Sequence, residues 1–367
     1  MDRRHFLSLV AAGAAGSGVC ICSSFGDRRK HPHLKIPVVH VTDLFRPHID
    51  PDDHWDLACV YALAHLGDID LKAVLIDYPP RKCDPDVLAV AQMNFITGLA
   101  VPVVTGSSVP MQASGKSGFT LDSTDGNAVR TLLTVLRQSP SPVVINVTGS
   151  CRDVAIAGKI EPELFAEKCA AVYVNAGNSQ RRGKQEYNVS LDPAAYAAMF
   201  DLPCPVFWMP CFGQVQPGSV GSEFATRYRF RQQKILPHLS RKMQNYFAFV
   251  LGKVETSRWL QYLTGPNDEK LLAEHGARYR NMWCTAGFFH AAGKSVTADG
   301  RIGPVNQVGD AGVFGFEPAR ISCSENGHAE WTIDETVKDR YIFRVRNVDH
   351  YPSAMAKAMK LLLTGLP

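Results

Sequence analysis

No apolar stretch of the sequence reaches the roughly 18 to 20 residues needed to cross a bilayer, and the longest candidate, near the amino terminus, is broken by glycines. A membrane-spanning role is therefore excluded from the expectations, and the mature protein is expected to be soluble. Nor is there a run of five or six basic residues. With 39 Lys+Arg against 35 Asp+Glu the formal charge is only +4, so the electrostatic footprint of a nucleic-acid binder is missing and no nucleic-acid partner is expected. The cysteines form no Cys-x-x-Cys pair, which rules out zinc-ribbon and thioredoxin-like readings. Internal repeats and Pro/Ser-rich linkers are absent too. What remains is 46% hydrophobic and 20% charged over 367 residues, the balance of a globular chain and not of a disordered or collagen-like one.

The first residues, Met1-Asp2-Arg3-Arg4-His5-Phe6-Leu7, precede an Ala/Gly-rich, weakly apolar tract from Leu9 to Gly16. A paired-arginine start followed by such a tract resembles a twin-arginine export signal. Residues 1–26 are accordingly expected to be a signal peptide and 27–367 one domain, in a bacterial protein that crosses the membrane folded and works in the periplasm or outside the cell. A frayed amphipathic helix is the alternative. Cys20 stands where a lipobox cysteine could, but Ser17-Gly18-Val19 lacks the usual Leu. Of ten cysteines, eight lie beyond this segment, most in apolar surroundings such as Ala58-Cys59-Val60, where a thiol reads as a small buried hydrophobe. Cys204 and Cys211 are the pair that could cross-link in an oxidising compartment.

Beyond the signal, short apolar, β-branched runs alternate with helical segments, which predicts an α/β fold with a mostly parallel, open, Rossmann-like sheet flanked by helices. The expected strands are 36–41, 71–76, 101–105, 143–147, 171–174 and 206–209, each a continuous apolar run as befits burial on both faces. Helices are expected at 53–66, 84–99, 127–138, 152–157, 193–200 and along a stretch from about 223 to 263. In the first of these, Trp55, Ala58, Ala62 and Leu66 fall on one face. Residues 320–345 are expected to add a carboxyl-terminal β-hairpin, because 329–333 and 340–345 both alternate at period two.

Ligands in open α/β sheets bind at the carboxyl ends of strands, and the first strand ends in an acidic segment. Asp43, Asp50, Asp52, Asp53 and Asp56 place five carboxylates in fourteen residues. Crowded carboxylates stay ionised only if a cation or a helix amino terminus compensates them. A hard, oxygen-seeking divalent cation such as Ca²⁺ is the natural ligand. Helix capping by Asp52 or Asp53 in a solvated acidic loop explains the same residues without a metal.

The order strand, Asp, loop, Asp-Asp, helix is similar to the D-x-D-P-G-x-D-D signature of the inosine/uridine-preferring nucleoside hydrolases, and three further segments follow in register. Val101-Pro102-Val103-Val104-Thr105-Gly106-Ser107-Ser108-Val109-Pro110 resembles the family's I-P-V-x-x-G-A-x-x-P. Thr148-Gly149-Ser150-Cys151-Arg152-Asp153-Val154-Ala155, after a strand, resembles its T-G-P-L-T-N-I-A turn. Glu186-Tyr187-Asn188-Val189-Ser190-Leu191-Asp192-Pro193 is close to its E-x-N-x-x-x-D-P. The resemblance covers roughly residues 36–200 and implies a nucleoside hydrolase-like fold and cleavage of an N-glycosidic bond by a metal-activated water. It further implies that Asp43 is the metal-bound, water-activating residue, that Asp53 binds Ca²⁺ or another divalent cation and that Thr148 lends its carbonyl to the ion. Asp52, Glu186 and Asn188, joined by Asn175 at the end of the preceding strand, would hold the ribose. For Glu186 and Asn188 a polar surface loop is the plainer alternative. The substrate would be a small nucleoside or other ribose-containing molecule, and self-association into a homo-oligomer is left open.

The sequence departs from that pattern in three places. An insertion, Leu44 to Pro51, replaces the short Pro-Gly turn, so Asp50 competes with Asp43 for the metal. Asp77 stands where the family has Gly-Asn and reads also as a turn residue. Where the family has His-Asp opening a helix, this chain offers Trp283 and Cys284, and a thiol is a poor ligand for Ca²⁺. Trp283 could stack on a base and His290 could approach the site, although both also suit core packing. A non-catalytic binder of nucleosides or sugars with an incomplete metal site is therefore the alternative function.

Overall fold

A computed structural model describes residues 35–47, 51–111, 120–180, 184–215 and 221–367. The arginine pair of the expected signal and Asp50 lie outside the described residues.

Nine strands form the main sheet: β1 (Ile36–Thr42), β3 (Ile69–Ile76), β5 (Val103–Thr105), β6 (Val143–Val147), β7 (Cys169–Val174), β8 (Val206–Trp208), β13 (Phe314–Cys323), β14 (Ala329–Ile333) and β15 (Arg340–Val345), in the order β14-β13-β15-β8-β7-β6-β1-β3-β5. Three two-stranded ribbons accompany it: β2 (Phe45–Arg46) with β4 (Asp84–Pro85), β9 (Tyr228–Arg231) with β10 (Tyr279–Met282), and β11 (Lys294–Val296) with β12 (Ile302–Pro304). From β5 to β15 every neighbouring pair in the main sheet is parallel. The chain winds outward from β1 in one direction through β3 and β5, then in the other through β6, β7 and β8. The winding reverses between β1 and β6, the switch point at which such sheets bind ligands.

One hydrophobic core lies on each sheet face. The Asp52–His65, Val87–Thr97, Arg241–Leu251, Thr285–Ala291 and Tyr351–Leu363 helices pack into one. The Asn127–Gln138, Arg152–Ile160 and Pro193–Ala198 helices pack into the other. The Asp52–His65 helix is not the one-faced helix expected from its pattern: from Asp52 to Ala64 every residue is buried, while Leu66 is exposed. It is sandwiched, with the Val87–Thr97, Thr285–Ala291 and Tyr351–Leu363 helices as neighbours. From Leu57 to Ala64 the helix is apolar all round, as such a position requires, whereas its first turns bury Asp52, Asp53, His54 and Asp56.

One expectation fails. The stretch from 223 to 263 is not one helix: it holds β9 and then the separate Arg241–Leu251 and Trp259–Thr264 helices. Alternation of Arg with Tyr and Phe at 227–231 is a strand period that outweighs the helical pattern around it. The carboxyl-terminal hairpin is present, formed by β13 and β14, but the two alternating strands expected to build it do not pair with each other. β13 lies between β14 and β15, antiparallel to both, and β15 continues the main sheet parallel to β8. Period two reports a strand but not its partner.

Candidate functional site

At the switch point, Asp43, Asp52, Asp53, Thr148, Asn175, Glu186, Asn188 and Trp283 line one cavity of about 130 Å³. Tyr187, Cys211, Phe212 and Cys284 complete its wall. Eight expected site residues therefore converge from six separate segments of the chain. A larger cavity, about 600 Å³, lies between the 177–186 segment and the 327–330 turn. It takes no wall residue from β1, β6 or the Asp52–His65 helix, so the smaller, carboxylate-rich cavity is the chemical candidate.

The matched motifs meet because Arg152 ties them together. Its guanidinium donates to the Ser107 carbonyl at 2.7 Å, to the Leu191 carbonyl at 2.9 Å and to Asp192 Oδ2 at 2.9 Å. Asp192 also caps the Pro193–Ala198 helix through the Ala195 N–H at 3.1 Å, and Asp153 Oδ1 accepts the Ser107 N–H at 3.0 Å. This nearly buried ion pair fixes the turn after β6 against the segment carrying Glu186 and Asn188. One charge-assisted bond to the carboxylate and two bonds from the same planar fork to carbonyls give both strength and register.

Gly149 allows the turn after β6 to approach β1 closely. A Cβ at that position would lie 2.8 Å from Asp43 N and 3.1 Å from Asp43 Cβ. Beneath the turn, Asp77 accepts the Ser150 N–H. Burial, then the nearby Asp43, hold the Asp77 carboxyl well above the usual range. The expected turn residue is thus a buried partner of the turn behind Asp43.

Asn188 Nδ2 donates to the Thr148 carbonyl at 3.0 Å, the very oxygen expected to face a metal. A carbonyl has two lone pairs, so one remains. Glu186 is buried, not part of a surface loop. Its Oε1 accepts the Asn188 N–H at 2.8 Å, and its Oε2 accepts the Gly177 N–H at 2.9 Å and the Val189 N–H at 3.3 Å. The carboxylate caps the short Tyr187–Leu191 helix; burial raises its pKa against those hydrogen bonds. Asn175 is equally engaged: Nδ2 donates to the Met209 carbonyl at 2.7 Å and to Thr226 Oγ1 at 3.1 Å, and Oδ1 accepts the Cys284 thiol at 2.6 Å.

Three buried carboxylates, Asp52, Asp53 and Asp56, bring ligand oxygens within 4.8 Å of one another. Asp53 was expected in such a group, whereas Asp52 was assigned to ribose and Asp56 was not singled out. Asp56 lies one helical turn after Asp52 and Asp53, and that i, i+3/i+4 spacing was the available signal. Cys284 interacts with Asp56, and burial followed by that negative charge pushes its thiol pKa up, so it stays protonated. His290 does not reach the cavity. It is buried, with Nδ1 2.8 Å from the Tyr173 hydroxyl and its ring against Phe207 and Phe316, and burial lowers its pKa to about 3. Trp283 meets Phe212 edge to face, with centroids 6.0 Å apart. All eight described cysteines are free, Cys204 and Cys211 included.

Comparison with known proteins places the chain. The family model described as inosine-uridine preferring nucleoside hydrolase matches residues 48–263. The chain belongs to that family. It is a hydrolase acting on N-glycosyl compounds. The matched stretch contains Asp52, Asp53, Thr148, Asn175, Glu186 and Asn188, while Asp43, Trp283 and Cys284 lie outside it. No curated protein sequence matches the chain. Among solved structures, the effector protein XOO4466 is similar at 14% identity, over 90% of this chain and 95% of its own, with a TM-score of 0.51. The type III effector protein XopQ, complexed with adenosine diphosphate ribose, gives the same identity, coverages and score. An inosine-guanosine nucleoside hydrolase matches at 13% identity over 89% of this chain and 98% of its own, with a TM-score of 0.48. At such identities the likeness shows the fold.

Proposed function

We propose that this nucleoside hydrolase family member cleaves ribonucleosides or related N-ribosides with a water activated beside Asp43, and that a divalent cation, Ca²⁺ by the chemistry of the donors, is its cofactor. The supporting observation is the convergence of Asp43, Asp52, Asp53, Thr148, Asn175, Glu186 and Asn188 on one cavity at the switch point. Fold alone does not fix function, so the reading rests on that cavity.

The buried Asp52, Asp53 and Asp56 group fits a hard cation, because carboxylates so close repel one another unless positive charge offsets them. These oxygens, with the remaining lone pair of the Thr148 carbonyl, would hold the ion. When bound, it lowers the pKa of a coordinated water. Asp43 accepts the proton of the attacking water. Asp52 and Asn188 grip ribose hydroxyls and keep the ring in its reactive orientation. Glu186, whose oxygens are occupied by backbone N–H groups, acts as a positioning residue for Asn188. Negative charge around the sugar favours the oxocarbenium-like transition state of glycoside cleavage. Trp283, Phe212 and Tyr187 supply aromatic wall for the base, and Trp283 Nε1 is a donor with no partner among the described residues.

Metal analysis of the purified protein, then release of the free base over a panel of nucleosides and adenosine diphosphate ribose with and without chelator, tests the reading. Calcium-dependent release from at least one substrate is expected. Binding of ribosides without any turnover would favour the non-catalytic binder, for which Cys284 in place of a hard ligand is the physical argument. We also propose export by the twin-arginine route, on the strength of Arg3, Arg4 and the tract after them.

A further inference from the structure

Arginine recurs at every second position of Arg227-Tyr228-Arg229-Phe230-Arg231. Tyr228 and Phe230 are buried and the three arginines exposed, as the pleat of β9 requires. Antiparallel pairing sets Arg229 opposite Asn281 and Arg231 opposite Tyr279, so these side chains share one face. Arg227 Nη2 donates to Asn281 Oδ1 at 3.3 Å, and the guanidinium carbons of Arg229 and Arg231 lie 4.1 and 4.5 Å from the Tyr279 ring centroid. Among the described residues none of the three pairs with a carboxylate; their partners are an amide, a ring and a carbonyl. Elsewhere on this surface arginines are neutralised, as Arg278 is by Glu274.

The strands that carry the ladder lead to the cavity, although none of the three arginines lines its wall. β10 runs directly into Trp283 and Cys284 of the cavity wall, and Thr226, next to Arg227, accepts a hydrogen bond from Asn175 of the same wall. It therefore begins on the aromatic side, where the leaving group belongs, and not among the carboxylates. Among the described residues that side offers only weakly acidic groups to a departing base: Cys284 is a buried thiol, Tyr187 a phenol whose pKa burial raises, and His290 is sealed in the core against Tyr173. A leaving group that must be protonated is poorly served there, while one that departs as an anion needs only positive charge nearby.

We propose that the ladder of Arg227, Arg229 and Arg231 selects N-ribosides whose leaving heterocycle is anionic, carrying a carboxylate or an ionised ring. The inference rests on the hydrolase reading and deepens it. In the step, the water oxygen bonds to C1′ as the C–N bond breaks. Asp43 accepts the water proton, and the bonding pair leaves with the heterocycle nitrogen: a pyrimidine nitrogen leaves as an anion that solvent later protonates, and a pyridinium nitrogen leaves neutral. The guanidinium groups offset the standing carboxylate charge in both cases and the added one in the first.

Two matched pairs test it: orotidine against uridine, and nicotinic acid riboside against nicotinamide riboside, the members of each pair differing in a carboxylate. Wild type is expected to favour the carboxylated member by about tenfold or more in kcat/KM at low ionic strength, with the preference shrinking as salt is added. The double variant R227Q/R229Q should lose that preference, R227K/R229K should keep part of it, and R278Q should behave as wild type; melting curves report folding of each. No preference in wild type, or an equal loss on both members of a pair, overturns the proposal. If no riboside is hydrolysed, equilibrium binding of the same pairs separates the two ideas. Discrimination abolished by R227Q/R229Q keeps the ladder and sinks the hydrolase reading, and equal binding of both members sinks the ladder.

Discussion

The Cys284 thiol donates to Asn175 Oδ1 at 2.6 Å, and the same sulfur interacts with the Asp56 carboxylate. A neutral donor thus stands beside a buried carboxylate group where the family has another hard oxygen. Cys284→Asp adds a hard ligand and a unit of charge, and should tighten Ca²⁺ binding by about tenfold in calorimetric titration. An unchanged affinity would mean that the side chain does not reach the ion or that the shell is already complete.

Asp43 and Asp52 line one cavity but are assigned different work. Asp43→Ala should lower kcat by about 10²–10⁴-fold, the usual range for loss of a general base. Asp52→Ala should also raise KM, because it removes a grip on the sugar. Wild-type turnover in either variant would reduce the acidic segment to a helix cap.

Asp153 provides a pH test away from catalysis. Burial raises its pKa from 3.8 to about 6, so the folded state holds that proton more tightly than the unfolded one. Its contribution favours folding below about pH 4 and is lost as pH rises through about 6, a difference of about 2–3 kcal/mol at most. Thermal melts of wild type and Asp153→Asn should therefore diverge, with wild type gaining relative to the variant at pH 4 and losing at pH 8. Parallel curves would sink the assignment.

The proposed export turns on Arg3 and Arg4. Replacing both with Lys should leave precursor in the cytoplasm, seen by fractionation of cells expressing the full chain. Undiminished export of that variant would remove the twin-arginine reading.

Much of the site could be read from the sequence because its residues follow strand ends, where spacing is tied to the fold. Asp43 after β1, Thr148 after β6 and Asn175 after β7 were legible for that reason. Asp56 was not, since it lies a turn inside the helix, where one acidic residue among apolar ones reads as a solvated position. Tyr187 and Phe212 read as ordinary loop aromatics; only the packing of separate segments puts them on one wall. The parallel strands 143–147 and 206–209 were visible as apolar runs, whereas the placement of β15 was not, because pairing depends on which edge remains open.

That placement has a consequence for synthesis. β8 gains its second neighbour only when Arg340 to Ile342 arrive and pair with Val206 to Trp208. Until then an apolar strand end stands unpaired for more than a hundred residues of elongation, a template for wrong pairing with another nascent chain. A chain truncated before residue 340 would keep every residue that lines the carboxylate cavity and still leave that edge bare. Its fate should be decided by association with its own copies and not by chemistry at the active site.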